Sequence, residues 1–344
     1  MSLFLKTLPE KIVYAVSMIA CKIINGNKDL GEILFKKILC IKLDEIGDMC
    51  YSLHVFEMLK KQFPDSEITL LCRSYTVSLV KNDPNISKIV TDYSDLKNDY
   101  DLIIDLRGSM KSIFYSLKIM PKVRLDRGTV RYQNKKKGKH PHEVITNLQI
   151  VEKIISEHNK TDLPKIHIGQ NEFSKADNFL KENNIKQFAV LHTGSRKKLR
   201  KWDKYIETAN FLHQKKKLEI VFAGDESEKK EIKNIQSNIP FKTFSTAGIF
   251  DLLELAALIS KAKIYIGNES GPLCIACICD TPSLGLFGPG EPEVFYPYGK
   301  KTTFIHHVLE CNPCDQIHCV HPENPCIKRI SFDEVVVKIE ELLK

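Results

Sequence analysis

The 344-residue sequence predicts an α/β protein made of two doubly wound, Rossmann-like parallel-sheet domains facing a cleft. Three observations predict it. Short apolar runs alternate with helical patterns through both halves, a polar, proline-containing stretch from Asn159 to Asn171 separates the two series, and each half carries enough strands for an open sheet. The expected boundaries are 1–36 for an amphipathic helical extension, 37–165 and 172–330 for the two domains, and 331–344 for a closing helix. With 43% hydrophobic and 27% charged residues the chain can fill such cores, which excludes disorder and a collagen-like fibre. No repeat of solenoid length is evident.

At the amino end, Leu5, Leu8, Ile12, Val16, Ile19 and Ile23 recur at three- and four-residue steps, the period of an amphipathic helix. Its uncharged stretch, Ile12 to Cys21, is half of the ~20 residues a bilayer span needs. Glu10 also spoils the positive region of a signal peptide. Two placements stay open: packed on the protein, or laid on a membrane surface with Lys6, Lys11 and Lys22 near lipid phosphates. In the first half, Ile38 to Leu43, Ile68 to Cys72 and Leu102 to Leu106 read as strands, and Met49 to Phe63, Ser109 to Ile119 and Glu143 to Ser156 as helices. Arg127 to Pro141, polar and basic, reads as a loop. In the second half, Phe188 to His192, Leu218 to Ala223, Lys263 to Gly267 and Ser283 to Phe287 read as strands. Asp203 to His213, Glu226 to Gln236, Asp251 to Ser260, Pro272 to Cys279 and Phe332 to Leu343 read as helices.

Four strand-end turns carry residues suited to chemistry. Lys42-Leu-Asp-Glu-Ile-Gly-Asp48 places Asp44, Glu45 and Asp48 where a helix begins. Asp48 there is either a plain cap or a carboxylate able to take a hydroxyl proton. After the next domain's first strand, Thr193, Gly194 and Ser195 precede Arg196 to Lys201, of which five in six are cationic, Arg200 and Lys201 among them. Amides and hydroxyls below and cations around would cradle a diphosphate; a solvated basic loop is the bland alternative. Glu269, Ser270 and Gly271 form a third turn, with Pro272 in the first turn of a helix, and Phe287 to Glu293 is a rigid fourth.

The excess of 51 Lys and Arg over 43 Asp and Glu gives a formal charge of +8, which favours anionic partners. Nucleic acid is excluded as the leading partner because no recognition-helix pattern or aromatic stacking motif accompanies the charge. Eleven cysteines, an odd number spread over a long chain, fit the reduced thiols of a cytosol rather than a secreted disulfide framework. Cys311, Cys314, Cys319 and Cys326, with His318 and His321 between, have the density of a structural zinc or iron site; buried free thiols are the alternative. Cys274, Cys277 and Cys279 read as packing residues on one helix.

Together the motifs stand in a recognisable order. The chain resembles the ADP-heptose:lipopolysaccharide heptosyltransferase family, glycosyltransferase family 9, with its GT-B fold. The resemblance rests on Ile38 to Asp48 with Leu53 and Phe63-Pro64-Asp65, Tyr100 to Gly108, His142-Glu143 with Asn147-Leu148, and His192 to Ser195 through Arg200-Lys-Trp202. It continues with Ala223-Gly-Asp225, Asn268 to Pro272, Leu286 to Pro289 and Pro297-Tyr-Gly299, so that it spans Lys37 to the carboxyl terminus.

It implies a bacterial, cytoplasmic enzyme, peripheral on the inner membrane in one version, that moves a heptose from ADP-heptose to a lipopolysaccharide inner-core hydroxyl. The anomeric centre is inverted without a catalytic metal. The same fold with another nucleotide sugar, another surface glycan or a protein acceptor is the alternative. The first domain would hold the acceptor and the second the nucleotide sugar. Asp48 matches the family's general base and Arg200 its phosphate-binding lysine. Thr193 to Ser195 match the phosphate turn and Glu226 an acid near the nucleotide. Glu269 stands where the family usually has Asp, and Cys274 where it often has His, which bears on the sugar more than on the reaction. Arg107, next to Gly108 at a strand end, is the expected contact for an anionic acceptor, within an excess that includes Lys111, Lys122, Arg124, Arg127, Arg131, Lys135, Lys136, Lys137 and Lys139. A helix N-terminus should lower the pKa of Asp48 and weaken it as a base, unless desolvation offsets the effect.

Overall fold

Lys37–Lys42 is aliphatic from Ile38 to Ile41 and becomes the central strand of a sheet, because a parallel strand with helices on both faces is buried on both. The computed structural model describes every residue except Met1, Asp162 and Pro313. Two units emerge, residues 1–165 and 166–344. In the first, β1 (Lys37–Lys42), β2 (Glu67–Cys72), β3 (Lys88–Val90), β4 (Leu102–Asp105) and β5 (Val123–Asp126) form a wholly parallel sheet in the order β3-β2-β1-β4-β5. In the second, β6 (Phe188–His192), β7 (Glu219–Ala223), β8 (Phe244–Ser245), β9 (Ile264–Asn268), β10 (Ser283–Phe287) and β11 (Thr302–His306) run in parallel in the order β11-β10-β9-β6-β7-β8. The expected pair of doubly wound sheets is present. Strand order reverses between β1 and β4 and again between β6 and β9, and the loops beyond those strand ends diverge to leave the crevices where ligands of such sheets bind.

Several elements differ from expectation. Residues Arg127–Lys136 are a helix, not a loop: Asp126 caps it by accepting from the Thr129 amide at 2.7 Å, and Gly128 packs directly on Ser17. A helix so polar leaves no apolar period to read. The single helix expected after β1 is two, Ile46–Cys50 and Leu53–Gln62, broken where the Ser52 hydroxyl donates to the Met49 carbonyl at 2.8 Å. The helix expected from Glu143 to Ser156 stops at Val151, and Gln170–Glu182 adds one at the end of the polar stretch.

The amino-terminal helix, Ser2–Asn25, packs on the first unit, but not through Ile12, Ile19 or Ile23. Tyr14, Ser17, Ala20, Cys21 and Ile24 are buried, whereas Ile12, Ile19 and Ile23 are each more than half exposed. The anchoring is polar. The Cys21 thiol donates to Asp126 at 2.7 Å, and the Asn25 amide exchanges two 2.8 Å bonds with the Arg124 backbone. The side chains of Leu5, Lys6, Leu8 and Lys11 lie outside the described ones. Among the described residues no helix is long and apolar enough to cross a membrane. The last helix, Phe332–Leu342, opens on a reciprocal Ser331–Glu334 cap and buries Val335 and Ile339 in the core of the second unit.

Candidate active site

At the end of β1 the chain turns through Leu43 and Asp44 into the five-residue helix Ile46–Cys50, whose N-cap is Glu45, so Asp48 is not the cap. Around this turn the first unit gathers buried charge. Lys42 Nζ lies 3.2 Å from Asp44 and 3.8 Å from Glu143, and donates to the Leu106 carbonyl. Arg127 reaches Glu143 at 2.8 Å, Asp44 at 3.3 Å and Asp48 at 3.8 Å, while its Nε and Nη2 donate to the Arg107 carbonyl. Arg131 takes the other Glu143 oxygen at 2.7 Å, and Arg107 pairs with Asp44. Glu143 is aimed inward because its helix, Glu143–Val151, is capped by His142 Nδ1, which accepts from Val144 N. Four cations thus surround three carboxylates.

The carboxylates are not equivalent. Burial pushes Asp44 and Glu143 up, but the adjacent cations outweigh it and hold both below the usual carboxylate range. For Asp48 burial wins: its pKa is raised, with Asp44 and Glu143 adding to the effect against Lys42 and Arg127. That reverses the expected lowering. A helix of five residues has little dipole to offer, and the 3.8 Å ion pair with Arg127 is long. Arg124 and Arg127, counted from sequence in the cationic excess suited to an anionic acceptor, are buried; Arg124 is sealed between Asp105 and Asp126. Arg107 keeps nearly half of its side chain exposed.

In the second unit Asn268, the last residue of β9, fixes the loop after β6 at both ends. Its Nδ2 donates to the Thr193 carbonyl at 2.8 Å, and its Oδ1 accepts from the Trp202 amide at 3.0 Å. Trp202 is buried and its indole donates to the Ile330 carbonyl. Between these points, Arg200 pairs with Glu269 at 3.0 Å and donates through Nε to Gln316 at 2.7 Å. Ser270 caps the helix Gly271–Ile278, and its hydroxyl lies 3.2 Å from His192 Nδ1. Burial raises the Glu269 pKa to about 7, against the lowering influence of Arg200 and Lys197. One Glu269 oxygen and the Thr193 hydroxyl are buried with no hydrogen-bond partner among the described residues.

Thr193, Gly194, Ser195, Arg200, Glu269, Ser270 and Gly271 therefore lie on two loops that leave neighbouring strands. Two expected members do not join them: Lys201 turns to Glu231, and Glu226, with 71% of its side chain exposed, pairs with Lys229. Glu228, two residues on, is the acid that lies against this turn. It lies 3.6 Å from His192 and so close to Gly194 that a Cβ there would sit 1.5 Å from its carboxylate. The spacing Asp225-x-x-Glu228, a capping box, was the readable signal. Cys274, at the position of the family His, is buried and turned back to the Ser270 carbonyl.

All eleven cysteines are free. Cys311, Cys314, Cys319 and Cys326 line one small cavity with Leu199, Pro289 and His321. Among the described residues no three His, Cys, Asp or Glu side chains are gathered closely enough to hold a metal ion.

Residues 94–324 match the model of glycosyltransferase family 9 (heptosyltransferase). The chain belongs to this family. The lipopolysaccharide core heptosyltransferase OpsX of Haemophilus influenzae is 24% identical over 329 residues, covering 88% of this chain and 94% of the relative. Among solved structures, a family 9 glycosyltransferase from Veillonella parvula superposes with a TM-score of 0.78 at 18% identity, covering 91% of this chain and 98% of its own. The ADP-heptose lipopolysaccharide heptosyltransferase II of E. coli does so with a TM-score of 0.71 at 20% identity, covering 89% and 98%. As a member of family 9 the chain is a glycosyltransferase, and its two parallel sheets with flanking helices are those of the GT-B class.

Proposed function

We propose that this glycosyltransferase moves a heptose from ADP-heptose to a hydroxyl of a lipopolysaccharide inner core, inverting the anomeric centre. Asp48 acts as the general base. The observation that carries the reading is the different footing of Asp48 and its neighbours. Asp44 and Glu143 are held ionised by buried cations, while Asp48 has a raised pKa and a fifth of its side chain open to solvent. A carboxylate in that state takes a hydroxyl proton as the hydroxyl attacks the sugar carbon. The transition state has oxocarbenium character, and inversion places the attacking oxygen opposite the departing diphosphate. Arg200, the Thr193 to Ser195 turn and the Ser270–Gly271 helix start supply the charge and amides that such a leaving group requires. The chemistry needs no metal.

Several partners accompany this reading. An inner core rich in carboxylates and phosphates suits the surplus cation of the first unit, with Arg107 the exposed contact. The exposed Ile12, Ile19 and Ile23, beside Lys22, suit peripheral contact with an anionic membrane on its cytoplasmic side. The four thiols of residues 311–326 share one cavity but, as placed, are not gathered to hold a structural zinc or iron, and elemental analysis of the purified protein checks for one. A second reading, the same chemistry with a different nucleotide sugar or acceptor, is favoured by Glu269 and by the buried Cys274 in place of the family Asp and His. A panel of nucleotide sugars with a truncated core acceptor, read as released nucleoside diphosphate and product mass, tests both. Transfer confined to a sugar other than heptose would replace the first by the second.

A further inference from the structure

The cysteine-rich loop does more than occupy the surface beside the donor loop. Gln316, between Cys314 and Cys319, presents one side-chain oxygen to two cations: Arg200 Nε at 2.7 Å and Lys197 Nζ at 3.0 Å. Gln316 sits in the left-handed region at φ 62°, a conformation that a residue with a side chain holds only where its surroundings enforce it. The enforcement is visible. Its amide donates to Cys314 Sγ at 3.3 Å, and on its other side Asp315 accepts from the amides of Ile317 and His318, each at 2.9 Å. Leu199, between the two cations in sequence, lines the cavity formed by the four thiols. With Gln316 on Nε and Glu269 on Nη1, the guanidinium of Arg200 is fixed along two edges. The choice of an amide has a purpose that a carboxylate would defeat. A neutral acceptor orients both cations without adding a second carboxylate beside Glu269.

We propose that Gln316 is a positioning residue for the diphosphate of the nucleotide sugar, and that the cysteine loop sets donor affinity through it. The inference rests on the reading of Arg200 as the diphosphate ligand, and the test separates the two. ADP binding is measured by calorimetry on the full chain for wild type, Gln316→Ala, Gln316→Glu, Cys314→Ala, the Gln316→Ala/Cys314→Ala double variant and Arg200→Ala, with thermal midpoints alongside. Loss of the two charge-assisted orienting bonds should weaken ADP about tenfold in Gln316→Ala, and raise the donor KM more than it lowers kcat. Gln316→Glu keeps both bonds but cancels cationic charge, so it should bind ADP no better than the alanine variant despite an unchanged midpoint. Cys314→Ala should weaken ADP in the same direction, and the double variant should add little to Gln316→Ala, because both changes act through one side chain. If both Gln316 variants bind ADP within twofold of wild type while Arg200→Ala does not, the positioning role is overturned and the donor site stands. Additive effects in the double variant overturn the route through the loop. An Arg200→Ala protein that binds ADP like wild type removes the donor-site reading, and this proposal with it.

Discussion

The two units place their polar residues at equivalent points of the same kind of sheet but on opposite terms. In the first, beyond β1 and β4, Asp44 and Glu143 are surrounded by four cations, with Glu143 taking Arg127 and Arg131 on separate oxygens and the Asp44 oxygen that lacks a hydrogen bond still 3.2 Å from Lys42. In the second, beyond β6 and β9, Arg200 is oriented from two sides, yet the Thr193 hydroxyl and one Glu269 oxygen are buried without partners. An unpaired buried polar atom costs roughly 1–3 kcal/mol. The charges of the first site are therefore countered within its own chain, whereas the second leaves polar atoms open to a ligand. On the proposed reading, a base is held ready before any acceptor arrives, and a donor site gains affinity from the bonds it has left open.

Four substitutions sharpen or break that contrast. Asp48→Asn should lower kcat by about 10²- to 10⁴-fold with ADP affinity unchanged, the range of a lost general base. In the wild type, the raised pKa of Asp48 should make kcat/KM fall, as pH drops, at a value above the ordinary carboxylate range, since only the ionised form accepts a proton. Glu143→Gln should cost about 3–5 kcal/mol of stability in denaturant titration, because Lys42, Arg127 and Arg131 lose their shared countercharge in a buried setting. Glu269→Gln, by contrast, should leave stability intact or raise it. Equal losses in the two variants would show that the sites are built alike. Arg200→Ala should weaken ADP roughly 10- to 100-fold. The smallest effect is on pH. As pH rises through about 7, Glu269 ionises and competes with the diphosphate for Arg200, so ADP binding should weaken several-fold, roughly fivefold, between pH 6 and 8. Glu269→Gln should abolish that slope.

The central strands were legible because burial on both faces demands unbroken aliphatic runs, as in Ile38 to Ile41 and Ile103 to Ile104. The strand Val123–Asp126 was not. Half of it is charged, and it lies in the sheet only because Arg124 meets Asp105 and Asp126, with Cys21 from the first helix on the latter. The same limit hid the role of Glu143. His142-Glu143 was readable as a motif, but its partners Lys42, Arg127 and Arg131 come from other elements, and no local period encodes such a meeting. The structure brings together turn residues whose place backbone geometry fixes, as in Thr193 to Ser195, Glu269 and Ser270, whereas sequence could not choose between Glu226 and Glu228, two residues apart. Gln316 carried no signal, for an isolated Gln in a cysteine-rich loop acquires meaning only from two cations over a hundred residues away.

The amino-terminal helix makes anchoring and folding separable. Its side chains Tyr14, Ser17, Ala20, Cys21, Ile24 and Asn25 hold it to the first unit, and Ile12, Ile19 and Ile23 are left to the surrounding medium. Replacing Ile19 and Ile23 by glutamate should abolish co-sedimentation with anionic vesicles while the thermal midpoint stays where it was. Trimming the chain back to β1 has the opposite character. It would strip the cover from Asp126 and the Arg124 backbone and weaken the sheet edge itself, so a shortened protein that fails to bind vesicles reports an injured fold rather than a missing anchor.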